Sequence, residues 1–86
     1  MNPEFKKYRD EIQEKNIDGM TLRHRSERLG ITPGPETRRD STLNWCDILG
    51  VTVRRVHQAY KEMAPTLMLK MDEYLKPLEA LKRRAV

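Results

Sequence analysis

The side chains best suited to chemistry in this sequence follow a glycine near the middle of the chain. The stretch CDILGVTVRRVHQAY, residues 46–60, places two arginines and a histidine shortly after Gly50. The 86-residue chain has a net charge of +4, and residues 19–61 carry eight Lys and Arg against four Asp and Glu. Such a basic stripe is the electrostatic pattern of a nucleic-acid binder, although an ordinary basic surface has the same composition.

No residue pattern typical of catalysis or metal binding accompanies these basic residues. His24 and His57 are the only histidines, and neither has a second soft ligand at metal-binding spacing. The single cysteine, Cys46, excludes an intramolecular disulfide and is expected to be a small core residue in a reducing compartment. Since the sequence shows no nucleophile–base pair and no phosphate-cradling glycine loop, we expect a protein that is not an enzyme and uses no cofactor or metal.

Length and composition indicate one small domain over residues 1–86. Apolar residues make up 37% and charged residues 35% of the chain, which fits a polar globule with a small core. The first residues form no apolar signal segment, and no apolar run approaches the roughly 20 residues that span a bilayer. We therefore expect a cytoplasmic protein without membrane contact.

The elements that must position the basic residues are all predicted to be helices, about five in number. Asn2 is the predicted cap of the first, which ends at the Asp18–Gly19 turn. Thr21 is the predicted cap of the second, which stops at Gly30. The stretch TPGPETRRDS then forms a loop, because its prolines disfavour helical angles in the residues before them. The apolar face of the first helix consists of Phe5, Tyr8 and Ile12.

The next two helices are predicted to meet at a tight corner. Ser41 or Thr42 would cap the first of them, LNWCDIL, with Leu43, Leu49 and either Cys46 or Trp45 facing inward. Its partner would begin after a Thr52 cap and run over residues 53–63.

Spacing around Gly50 meets the physical requirements of such a corner. Cys46 supplies a small residue where the second helix crosses the first, and Gly50 tolerates the positive φ of the turn. Val51 would fill the gap between the helices, and Val56 would be buried beneath the second helix. Leu49 and Ala59 complete the inward positions.

This pattern resembles the helix-turn-helix of bacterial and phage repressors, above all the lac-repressor type, over about twenty residues, 42–61. In that type an alanine, a glycine, "V-S" or "V-T" and a valine hold the corresponding places. The resemblance implies a recognition helix over residues 53–61, lying in the DNA major groove. Arg54 and Gln58, one turn apart, would contact neighbouring bases, because Arg pairs with guanine and Gln with adenine. The other residues that it assigns to DNA are Arg55, His57 and Lys61 on the same helix, Arg38 and Arg39 on phosphates, and Thr42 or Asn44 at the preceding helix start.

A final helix is predicted from Pro65, and a heptad seam runs along it. The seam consists of Leu67, Met71, Tyr74, Leu78 and Leu81. As a dimerisation helix over residues 65–86 it would pair two recognition helices across a two-fold axis; alternatively it covers the N-terminal helix of its own chain. The small core favours the dimer. Pro77 predicts a kink or a break into two helices.

The function predicted from these patterns is a repressor-like regulator of phage, plasmid or bacterial origin that binds a specific site in double-stranded DNA as a homodimer. Two alternatives stay open. One is a small phage-type helical protein whose basic face binds another protein and inhibits or adapts it. The other is a DNA-packaging adaptor with a similar motif, which would form a larger ring.

Overall fold

Five α-helices make up most of the computed structural model, which describes residues 3–35 and 43–84. In chain order they are α1 (Pro3–Glu14), α2 (Gly19–Arg28), α3 (Trp45–Leu49), α4 (Val53–Tyr60) and α5 (Pro65–Arg84). The described residues contain no strand, only an isolated parallel bridge between Thr32 and Asn44. The predicted class, a small all-α domain of about five helices, is confirmed. No helix in the described ranges combines the length and the apolar character that a membrane crossing requires.

The boundary between α1 and α2 differs from the prediction. Asn16, with a φ of 54°, turns the chain after α1 has ended. Asp18 caps α2, since its side chain accepts hydrogen bonds from the backbone N–H groups of Met20 and Thr21. Thr21 therefore lies inside α2, where its hydroxyl donates to the Asp18 carbonyl over 2.8 Å. Because an aspartate is as good a cap as a threonine, the first one along the chain begins the helix.

The helix α3 is shorter than predicted at its start. Asn44 is its cap, and Leu43, expected to face inward, precedes the helix and is 45% exposed. Trp45, which was one of two residues expected at the next inward position, is fully buried. Ser41 and Thr42 lie outside the described residues.

The C-terminal helix α5 lies against α1, α2 and α4 of its own chain. Leu67 and Met71 are 3% and 0% exposed in the common core, and Tyr74 and Leu78 are half-buried against it. Only Leu81, at 61% exposure, is open to solvent. The predicted use of this seam for dimerisation is therefore wrong for its buried members, and the alternative, a helix that covers its own chain, is what the structure has. In so small a domain the apolar face of the longest described helix is needed to form the common core.

The helix α5 continues through Pro77 without breaking into two helices. Pro77 and Glu73, whose carbonyl loses its intrahelical partner, are both exposed, so water can satisfy that carbonyl. Leu75 is fully buried before the proline, and Leu78 packs on the core after it. Packing on both sides maintains the helix, and the predicted break is wrong.

Ion pairs fix α2 to α5. The Arg25 guanidinium contacts Asp72 at 2.8 Å and Glu79 at 2.6 Å, and Lys76 contacts Asp72 at 3.1 Å. Burial by itself would raise the pKa of Asp72, but the hydrogen bonds from Arg25 and Lys76 outweigh it and lower that pKa. The hydrogen bonds from Arg25 likewise lower the pKa of Glu79. We call Arg25, Asp72, Lys76 and Glu79 the α2–α5 ion cluster.

Candidate nucleic-acid interface

The corner between α3 and α4 has the local geometry that the sequence predicts. Gly50 adopts a φ of 65°, a left-handed conformation that favours glycine. Thr52 caps α4 by accepting a hydrogen bond from the Arg55 backbone N–H over 3.3 Å. Val56 is fully buried, as is Ala59 one turn further on. These contacts fix both the start of α4 and the face that it turns to the core.

Trp45 lies beneath the corner and connects it to the rest of the domain. Its indole N–H is within 3.0 Å of both the Ser26 hydroxyl on α2 and the Tyr60 hydroxyl on α4. Its ring packs edge-on against Tyr74 of α5, with the ring centroids 5.6 Å apart. One side chain therefore positions α4 relative to two other helices, and Trp45 holds the inward position for which it was one of two candidates.

Cys46 is less buried than the core residue that the sequence predicts. It is half-buried, and its thiol lies 3.4 Å from the Pro33 carbonyl oxygen, in the segment that follows α2. Burial raises the pKa of this thiol, and the neighbouring Asp47 raises it further. The thiol therefore stays protonated at neutral pH, which does not favour a reactive cysteine.

The outward face of α4 is basic and largely accessible. Arg54, Arg55 and His57 are exposed, as is Lys61 at the C-terminal cap of the helix. Gln58 is half-buried, and its side-chain oxygen accepts a hydrogen bond from the Arg55 guanidinium over 3.1 Å. A base contact by Gln58 would therefore have to replace this hydrogen bond.

Asn44 cannot take its predicted part in phosphate contact. It is 1% exposed, and its side-chain oxygen accepts from the Asp47 backbone N–H over 2.9 Å. Its amide nitrogen donates to the Asp47 carboxylate, also over 2.9 Å. Both of its side-chain polar atoms are bonded at the start of α3, and a carboxylate lies beside it. Arg38, Arg39 and Thr42, the other residues predicted near this helix start, lie outside the described residues.

Arg23 on α2 is a basic residue that the sequence pattern did not connect with α4. Its helix begins against the end of α4: a Cβ on Gly19 would lie 2.6 Å from the Tyr60 carbonyl carbon. Beside this contact lies a groove of about 320 Å³ between α2 and α4, in which Arg23 joins His57 and Lys61. The groove is called the α2–α4 groove below. The only sign of this groove in the sequence was a glycine, Gly19, at the start of a predicted helix, and its burial against the end of α4 became visible only in the structure.

Comparisons with known proteins add no family to this description. No protein-family model, curated protein or solved structure matches the chain. Among the described residues, no group of three or more His, Cys, Asp and Glu side chains is arranged to hold a metal ion. The function must therefore be inferred from the geometry and charge of the α3–α4 corner.

Proposed function

We propose that the chain binds double-stranded DNA, with α3 and α4 acting as a helix-turn-helix and α4 lying in the major groove. The observation that carries the proposal is the fixed α3–α4 corner, which buries Val56 and Ala59 and turns Arg54, Arg55 and His57 to solvent. Buried contacts on one side and accessible basic groups on the other are what a recognition helix requires.

The charges on this face support the proposal because carboxylates do not neutralise them. Within the described ranges, no Asp or Glu forms an ion pair with Arg54, Arg55 or Lys61. The α4 sequence VRRVHQAY contains no acidic residue at all. Guanidinium groups without a carboxylate partner keep donors free for guanine or phosphate oxygens, apart from the Arg55 donor that Gln58 accepts, and several such groups would displace counterions from DNA.

The shape of α4 is compatible with this partner. An α-helix with its side chains is about 10–12 Å across, which the major groove, about 12 Å wide, can admit. Arg54 lies near the N-terminal end, where a recognition helix contacts base edges, and Lys61 lies at the other end, near the phosphate backbone. The proposal places the protein in the cytoplasm as a repressor-like regulator, and a homodimer on two half-sites remains part of it. Such a dimer has to use a surface other than the buried part of α5.

An unbiased selection of bound duplexes from a random DNA pool, at near-physiological salt, tests the proposal. We expect an enriched sequence, and Arg54→Ala combined with Gln58→Ala should weaken binding of that site by at least tenfold, because one good bidentate base contact is worth about 1–3 kcal/mol. Lys70→Ala, at an exposed lysine of α5, is the matched control and should leave binding within about twofold.

Each outcome of the selection separates the functional classes. An enriched palindrome supports a dimer on two half-sites, whereas a single half-site supports a monomer that reads DNA alone. If the double variant binds the selected site as tightly as the parent chain, the recognition-helix assignment is wrong. If no sequence is enriched, the basic face serves a protein partner instead of an operator.

A further inference from the structure

The α2–α4 groove has a chemical character that DNA contact does not use. Its inner lining is apolar: Ile31 is 2% exposed and Tyr60 is half-buried, while Met20 at the edge is 68% exposed. Phosphate oxygens bind N–H donors and gain nothing from such a lining. A solvent-exposed methionine beside a buried apolar surface is a feature of protein-binding grooves, because the flexible thioether adapts to different side chains.

The rim of the groove is basic. Arg23, His57 and Lys61 are all exposed along it. Among the described residues the lining contains one carboxylate, Glu27, which is paired with Arg23 at 3.1 Å, so these two charges offset each other and Lys61 leaves the rim with a net positive charge. A segment that binds here must therefore present carboxylates to the rim and an apolar group to the interior.

The volume and construction of the groove limit what enters it. About 320 Å³ is at the small end of ligand sites and accommodates one or two large side chains. Gly19 contributes no side chain, and its contact with the Tyr60 carbonyl fixes the distance between α2 and α4. The opening is therefore preformed, which lowers the entropic cost of binding a short segment.

From these features we infer that the α2–α4 groove binds a short acidic peptide segment of a partner protein, inserting one large apolar side chain between Met20 and Tyr60. Carboxylates of the segment would contact Arg23, His57 and Lys61 at the rim. Because His57 and Lys61 also belong to the outward face of α4, a bound segment excludes DNA from the C-terminal end of this helix. The exclusion of DNA rests on the proposed function, whereas the peptide site does not.

Screening a displayed library of twelve-residue peptides against the intact chain tests the site. Enriched peptides should carry Asp or Glu around a Leu, Phe or Trp. When the tightest peptide is added to protein labelled at its methionine methyl groups, the Met20 signal should shift. Met63 is the matched control, because it is similarly exposed at 63% and does not line the groove.

Two substitutions separate this site from the DNA face. Met20→Ala should weaken the peptide by at least tenfold by removing the apolar edge without adding a charge to the rim, while Met63→Ala leaves its affinity unchanged. Arg54→Ala should weaken the selected DNA without changing peptide affinity. Unaltered Trp45 fluorescence shows that each variant retains its fold, since that ring is buried among four helices.

The results that overturn the inference are equally distinct. Failure of the library to enrich acidic peptides, or a peptide that shifts Met63 instead of Met20, contradicts the peptide site. A duplex that shifts Met20 where no peptide does would assign the groove to the DNA footprint. Simultaneous binding of peptide and DNA would disprove the competition while retaining the site. If peptide binds but no DNA is ever selected, the proposed function fails and the groove assignment is kept.

Discussion

Arg25 and Arg54 carry the same charge in one small domain, yet their surroundings are opposite. Arg25 lies between two helices, its side chain 21% exposed, and contacts the carboxylates of Asp72 and Glu79. Arg54 lies on the outer face of α4, where the described residues offer it no carboxylate partner. Arginines of the first kind stabilise a fold, and arginines of the second kind remain free to bind something else.

The difference shows why the total charge of this chain says little about its function. The helix α2 adjoins both regions: Arg25 joins it to α5, and Gly19 packs against the end of α4. The side of α2 on which a basic residue lies therefore decides whether it can reach the α2–α5 ion cluster or the α2–α4 groove. Arg25 and Arg23, only two positions apart, lie on different sides.

The largest loss of stability is expected at Gly19, where the backbone of α2 contacts the backbone at the end of α4. Gly19→Ala places a methyl group against the Tyr60 carbonyl, and neither backbone can yield without moving a helix. We expect a loss of about 3 kcal/mol in the free energy of unfolding, at the upper end of overpacking effects. Urea denaturation measures it, with the exposed Met20→Ala as the control at less than about 0.5 kcal/mol. Equal stability of the two variants would show that α2 and α4 are not in contact at this point.

Raising the salt concentration should weaken DNA binding by the exposed cations of α4 much more than it weakens the ion pairs that stabilise the fold. If about four phosphates are contacted, raising salt from about 50 to 200 mM should weaken DNA binding by about 100-fold, because counterion release dominates that equilibrium. The free energy of unfolding should change by less than about 0.5 kcal/mol over the same range, because partly buried ion pairs are screened less than exposed ones. Binding titrations and urea curves in the same buffers test both. A DNA affinity that is independent of salt contradicts the phosphate contacts.

Replacing arginine by methionine should destabilise the protein more in the α2–α5 ion cluster than on the outer face of α4. Arg25→Met leaves Asp72, whose side chain is 4% exposed, with Lys76 as its remaining ion-pair partner in the described residues. We expect a loss of about 2 kcal/mol, less than for a fully buried pair because Arg25 itself is partly exposed. Arg54→Met, on the outer face of α4, should cost less than about 0.5 kcal/mol. Comparable losses in urea denaturation would show that Arg54 has a structural partner.

Acid should weaken the α2–α5 ion cluster by less than the Arg25→Met substitution does. The folded-state pKa values of Asp72 and Glu79 are lowered, so their contribution to stability is fully present above the unfolded values near 4 and is lost as the pH falls through the folded values. The free energy of unfolding should therefore decrease from about pH 5 towards pH 2. The decrease should be shallower in the double variant Asp72→Asn, Glu79→Gln. If the parent chain and the double variant lose stability equally as the pH falls, these two carboxylates are not the source of the decrease.

Features decided by short stretches of chain were predicted correctly. The left-handed turn at Gly50, the Thr52 cap and the burial of Val56 all depend on interactions within a few residues. The same holds for the helix starts at Pro3 and Pro65. The errors at the starts of α2 and α3 came from places where neighbouring residues compete for one cap, because propensity does not decide between such candidates.

Predictions about partners failed or stayed incomplete wherever contact depends on distant residues. A heptad seam is equally suited to another chain and to its own, and the fold buries Leu67 and Met71 inside one chain. Asn44 has the chemistry of a phosphate donor, but Asp47 engages both of its polar atoms. Burial and neighbours, which the pattern does not contain, decided these cases.

By itself the sequence determined an all-α domain, a glycine-centred corner and a helix with no acidic residue, because backbone sterics, capping and helical periodicity act over a few positions. Only the tertiary structure decided which charges are neutralised and which are free. Arg25 meets Glu79 across 54 positions of sequence, whereas Lys61, which lines the groove beside α2, has no ion-pair partner among the described residues. The physical reason is that ion pairs and grooves form where helix faces pack together, and that packing is settled by burial over the whole chain.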